Sequence, residues 1–177
     1  LIAATEIGRA MLQGDLRELI GLRRDQKMPQ SLRQHIVVCG YGRTGRAVVE
    51  VLQGRRVPFV IVEAAEDAVR RLRSEGVPVV QGDATRKEVL REARGEHART
   101  FLACLSDDAH NVFAILLARQ LNPELAIIAR AVEEGSEDRL RLAGAHRVIN
   151  PYRLGGMRLA YTAIKPTVTD FVEASMA

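Results

Sequence analysis

The chain has no tryptophan, and aromatic side chains make up only 4% of its 177 residues. A surface that stacks the bases of single strands or RNA needs exposed rings, so that class is poorly supplied. Cysteine is nearly absent as well: Cys39 and Cys104 are the two, each inside an apolar run. That excludes a disulfide scaffold and fits buried free thiols in a reducing compartment. No apolar run approaches the ~18 residues that span a bilayer. Neither sign of charge dominates, with 26 Lys and Arg against 22 Asp and Glu. No segment forms the dense basic stripe of a nucleic-acid binder. The histidines, His35, His97, His110 and His146, lack the paired spacing of metal ligands and read as solvated or capping groups. No signal-peptide pattern opens the chain. It begins with Leu1, so a fragment or processed product is expected.

What is present is a rhythm. Apolar residues are 47% and charged residues 27% of the chain, ordinary values for a globular domain. Apolar runs at 35–39 (HIVVC), 57–63 (VPFVIVE), 77–81 (VPVVQ), 100–105 (TFLACL), 125–131 (LAIIARA) and 147–150 alternate with helical stretches at 44–53, 65–75, 85–94, 107–121 and 136–143. The helix over 107–121 is expected to turn Val112, Phe113, Leu116 and Leu117 inward, and Asn122-Pro123 ends it. Continuous apolar strands between helices predict an α/β fold: a doubly wound, Rossmann-like parallel sheet of six strands, order 3-2-1-4-5-6, with helices on both faces. That order makes the first and fourth strands neighbours and brings Cys39 close to Cys104, as free thiols. Three regions follow. Residues 1–34 are a helical linker, with Leu12, Leu16, Leu19 and Ile20 on one face and 28–31 as the entry to the domain. Residues 35–151 are the nucleotide-binding domain. Residues 152–177 hold a crossover helix over 152–165, stopped by Pro166, and an apolar tail at 168–174.

Gly40-Tyr41-Gly42-Arg43-Thr44-Gly45 fits G-x-G-x-x-G between the first strand and its helix. Gly40 permits the tight turn, Gly42 lets the backbone approach a pyrophosphate, and Gly45 lets helix pack closely on strand. The helix start then offers N–H groups and a positive dipole end to an anion. Glu63 closes the second strand, 18 residues past Gly45. An acid there accepts from both ribose hydroxyls and repels a 2′-phosphate, which favours NAD(H) or an adenine nucleotide (ADP or ATP) over NADP. Its other reading is a cap for the next helix. Asp83, in Gly82-Asp83-Ala84-Thr85, either binds an adenine amino group or caps the following helix, and the two are compatible. Ser106 and Arg130 point toward the same edge, with weaker claims.

GYGRTG after HIVVC, the acid-ended VPFVIVE, VVQGDAT, LSDDAHNVFAILLARQLNP, IIARA and AGAHRVINPYRLGGMRLA together resemble the N-terminal domain of the regulator-of-potassium-conductance (RCK) family, also called TrkA-N or KTN. The resemblance implies a regulatory module rather than an enzyme. It implies a Rossmann nucleotide site, a dimer as building block of a tetrameric or octameric ring, and a place on the cytoplasmic face of the membrane beside a potassium channel pore or transporter subunit. It also implies a second lobe after the crossover helix.

Residues 1–34 separate the branches. DLRELIGLRRDQKM resembles the connector from a pore helix in ligand-gated potassium channels, whereas a stand-alone uptake subunit begins just before the first strand. A helix packed on the domain is the remaining reading. The calcium-gated branch carries acids around the fifth strand, where Arg130 and Val132 stand here, so no calcium site of that type is expected. The rival enzyme reading rests on Tyr161-x-x-x-Lys165, a pairing used by short-chain dehydrogenases. The glycine spacing and the immediate Pro166 oppose it.

Overall fold

The computed structural model describes residues 28–164. Six parallel strands, β1 (Ile36–Cys39), β2 (Phe59–Glu63), β3 (Val79–Gln81), β4 (Thr100–Ala103), β5 (Ala126–Arg130) and β6 (Arg147–Ile149), alternate with six helices: α1 (Arg43–Gly54), α2 (Glu66–Ser74), α3 (Lys87–Glu92), α4 (Asp108–Leu121), α5 (Glu137–Leu142) and α6 (Pro151–Ile164). The strand order is β3-β2-β1-β4-β5-β6, the expected doubly wound sheet. Its midline is the β1–β4 pair, in which Cys39 stands opposite Ala103. The Cys104 amide donates to the Cys39 carbonyl at 2.9 Å, and both buried cysteines are free. The amphipathic helix expected within residues 1–27 and the tail after 164 lie outside the described residues.

Alternation along the strands builds two cores. Val37, Val60, Phe101, Ile127 and Ala129 pack on one face with Leu90 of α3, Ala114, Ile115 and Ala118 of α4, and Leu140 of α5. Ile36, Val38, Phe59, Ile61 and Val79 pack on the other with Val49 of α1 and Val69 and Leu72 of α2. Right-handed crossovers put α4 and α5 on the first face only. The second face of the sheet is therefore less covered at β5 and β6, where Ile128 is half-buried and Ile149 is 46% exposed.

Three expectations change. On α4 the inward stripe is Asp108, Asn111, Ala114, Ile115 and Ala118, while Phe113 and Leu116 face out at 53% and 45% exposure. Val112 and Leu117 are its half-buried margins. Asp108 and Asn111 fix the rotation, because both bond loop amides on the inner side, and the alanines let the helix lie close to the sheet. Met28, expected in a linker, is buried in the first core, with Leu32 packed against it. His35 is neither solvated nor a cap: it is fully buried, with Nε2 2.9 Å from the Ala93 carbonyl, and burial holds its pKa below the ordinary value.

Leu140 and Leu142 test the packing side by side, one fully buried and the other 88% exposed. Leu140→Ala should cost about 2–5 kcal/mol in urea unfolding, and Leu142→Ala less than about 0.5 kcal/mol.

Candidate functional site

The carboxyl ends of the strands open into a cavity of 640 Å³, lined by residues 40–43, 62–64, 82–84 and 104–106 with His110, Arg130, Val132 and Tyr152. It straddles the point between β1 and β4 where the winding reverses, the place where ligands dock in open α/β sheets.

The glycine turn is set by lack of space. Gly40 has φ +94°, and a β-carbon there would come within 2.7 Å of the Cys104 carbonyl oxygen. A β-carbon on Gly45 would come within 2.0 Å of the Gly40 carbonyl oxygen. Helix and turn thus meet backbone to backbone. Gly42 is the N-cap of α1, and a β-carbon there would meet nothing within 4 Å. No side chain caps α1, and its first turn holds no acid. The free N–H groups of a helix start need an acceptor, and here the first residues of that start, Gly42 and Arg43, line the cavity.

Glu63 anchors the turn from the next strand. Its Oε2 accepts the Tyr41 amide at 2.6 Å and its Oε1 accepts the Ala65 amide at 2.8 Å. Each oxygen keeps a second lone pair, so ribose hydroxyls can still be accommodated. Both sequence readings of Glu63 therefore have a physical basis, since Ala65 is the N-cap of α2. Asp83 Oδ1 accepts the Thr85 amide at 2.8 Å and the Thr85 hydroxyl at 2.7 Å, and these bonds hold its carboxyl below the ordinary range.

The far wall is built by α4 and β5. Asp107 caps α4 by accepting the His110 amide at 2.9 Å, and that bond heads the causes that lower its carboxyl pKa. Buried Asp108 accepts the Val132 and Glu133 amides, both at 2.9 Å. Asn111 accepts the Leu105 amide at 2.9 Å and donates to the Arg130 carbonyl at 3.2 Å. Arg130 donates to the Leu105 carbonyl at 2.6 Å and reaches the Thr44 hydroxyl at 3.5 Å, and its buried Nε has no partner. Burial pushes the Cys104 thiol at the cavity floor up to about 11. Arg43 bonds the Tyr152 hydroxyl and lies 5.5 Å from the centre of that ring.

Of the expected binding residues, Gly40, Tyr41, Gly42, Arg43, Glu63, Asp83, Ala84, Ser106 and Arg130 line the cavity. Thr44, Gly45 and Thr85 stand behind its wall as partners of Arg130, Gly40 and Asp83. His110 and Tyr152 were missed. His110 had only its place in the first turn after β4 to mark it, and Tyr152 only the resemblance at INPYRL. Tyr161 is 61% exposed on α6 and takes no part in the cavity wall, and Lys165 lies outside the described residues. Among the described residues no three His, Cys, Asp or Glu side chains converge as metal ligands, and no helix is long and apolar enough to cross a membrane.

An uncapped helix start, two arginines and a carboxylate one strand over fit a nucleotide: phosphate at the first, ribose at the last. The chain belongs to the TrkA-N domain family, which it matches over residues 36–151. It is 35% identical to "Probable potassium channel protein 2" of Methanocaldococcus jannaschii, over 94% of this chain and 49% of that protein. Among solved structures, the GsuK channel bound to NAD matches with a TM-score of 0.69 and 30% identity, over 84% of this chain and 28% of that one. GsuK bound to ADP matches with a TM-score of 0.72 and 32% identity, over 80% and 38%. The chain spans about half the length of the curated relatives it matches.

Asp83 and Asp107 give the site an acid signature. Both carboxyls sit below the ordinary 3.8 in the folded chain, so the unfolded chain takes up protons first as pH falls. Their contribution is complete above that ordinary value and is lost through the lowered one; stability rises with pH across this limb. Urea midpoints at pH 3 and pH 5 should differ less for the double variant D83N/D107N than for the parent chain.

Proposed function

We propose that this chain is the nucleotide-sensing regulatory domain of a potassium channel, taking NAD(H) or an adenine nucleotide and acting by binding rather than turnover. The observation that carries this reading is the bare start of α1, without a side-chain cap or an acid and facing a cavity that also holds Arg43 and Arg130. The nucleotide's phosphates lie at 42–45, with Arg43 as counter-charge. Glu63 takes the ribose, and Asp83 with Ala84 borders the base. The domain works as a dimeric building block of a ring on the cytoplasmic face of the membrane.

A separate transporter subunit is the alternative. Similarity to the archaeal channel protein covers 94% of this chain and so takes in most of residues 1–34, ahead of the TrkA-N match. This favours a domain tethered to a pore.

A nucleotide shifts a two-state equilibrium only by its difference in affinity for the two states. A ratio of about 10–100 yields roughly 1.4–2.7 kcal/mol per site, so a steep switch needs several coupled subunits. Within one subunit, Arg43 is the connection. It belongs to the phosphate turn and holds Tyr152, in the first turn of α6. Phosphate competing for the guanidinium loosens α6, which carries the chain out of the domain.

Two measurements test this. Calorimetry should find ADP and NAD binding to the parent chain, while Gly42→Asp lowers the affinity on the order of 100-fold through the added carboxylate. The open space at Gly42 and its N-cap position predict that this variant folds normally and gains a few tenths of a kcal/mol. Unchanged ADP affinity in it would place the phosphates elsewhere. Hydrogen exchange at amides 152–164 should speed up in Arg43→Ala and on ADP binding to the parent chain; no change in either overturns the α6 link.

A further inference from the structure

Along the cavity wall the order is fixed by the sheet. The phosphate turn follows β1, Glu63 ends β2, and Asp83 follows β3. The first turn of α4 closes the far side of the cavity, and it brings one histidine, His110, to the wall. Its Nδ1 lies 2.5 Å from Asp107 Oδ2. A carboxylate only accepts, so Nδ1 carries the proton, and in that tautomer of the imidazole Nε2 is the acceptor. Asp107 is itself held by the His110 amide at 2.9 Å, so imidazole and cap form a closed pair rather than a free rotor. Asp83, which lines the same cavity, has Oδ1 committed to Thr85, which leaves Oδ2 as a second acceptor. Buried Ala84 and Val62 line the cavity beside them.

We infer that His110 is a base-recognition residue: its Nε2, oriented by Asp107, accepts a hydrogen bond from the exocyclic 6-amino group of a bound adenine. Two acceptors in a cavity lined also by apolar Ala84 and Val62 suit a flat ring that carries a donor at its edge. A purine without that amine leaves the two acceptors unmatched. The inference rests on the nucleotide site proposed above and adds the group that reads the base.

The test is a cycle that removes the amine from the ligand and the imidazole from the protein. The 177-residue chain and its His110→Ala variant are titrated with ADP, with purine riboside 5′-diphosphate, which lacks the amine, and with inorganic pyrophosphate. His110 is exposed, and its backbone amide still reaches the Asp107 cap in the variant, so folding is retained. In the parent chain, loss of the amine removes both bonds and should weaken binding about 25-fold, at about fivefold per hydrogen bond. In His110→Ala, where Asp83 alone accepts from the amine, the same change should weaken binding about fivefold, and pyrophosphate should bind both proteins alike. If amine removal weakens binding equally in both proteins, His110 does not read the base, although the nucleotide site stands. If neither nucleotide binds the parent chain, the site and this inference fall together.

Discussion

The contact between Gly45 and the Gly40 carbonyl leaves no room for a β-carbon. Everything at the site follows from that approach. It sets α1 directly against the end of β1, so the helix begins inside the turn, and no side chain caps its first amides. A side chain at Gly45 would force helix and turn apart, and one at Gly40 would collide with the Cys104 carbonyl. The Glu63 carboxylate holds the arrangement from the side by taking amides on both of its neighbours, Tyr41 in the turn and Ala65 at the head of α2. The shape of the site is thus set by main-chain geometry, with charged side chains around it.

The second half of the sheet provides the opposite wall by a different device. α4 buries two polar residues, Asp108 and Asn111, that bind the loops after β4 and β5. These bonds hold Leu105, Val132 and the backbone of Arg130 in place, and the Arg130 guanidinium reaches from β5 to Leu105 and Thr44. The two halves of the fold therefore meet at the cavity through a cation whose Nε lacks a protein partner. A ligand bound there touches both halves at once. The aromatic contact of Arg43 with Tyr152 extends the same site to the helix that leaves the domain.

Much of this was legible in the sequence because the signals are local. Glycine spacing, the apolar run before it and the acid at the end of the next run specify the turn, the helix and the carboxylate on the cavity wall. Strand order followed from the alternation of apolar runs and helices. The rotation of α4 was not legible. A stripe of Val112, Phe113, Leu116 and Leu117 is more apolar than the one buried, and only the tertiary bonds of Asp108 and Asn111 explain why the helix turns the other way. Met28 and His35 were misread for a related cause: residues near the domain's entry look peripheral until the sheet's lower edge is seen to bury them. Tyr152 and His110 entered the site through side chains far from the glycine loop in sequence, where spacing carries no signal.

The account depends most on the amides at the head of α1 being the anion site. Amide NMR spectra recorded during a titration of the chain with ADP test this directly. The account predicts the largest shifts at Arg43, Thr44 and Gly45, with Tyr41 following as the Glu63 carboxylate adjusts to the ribose. Saturable ADP binding that leaves those three amides unmoved would contradict it.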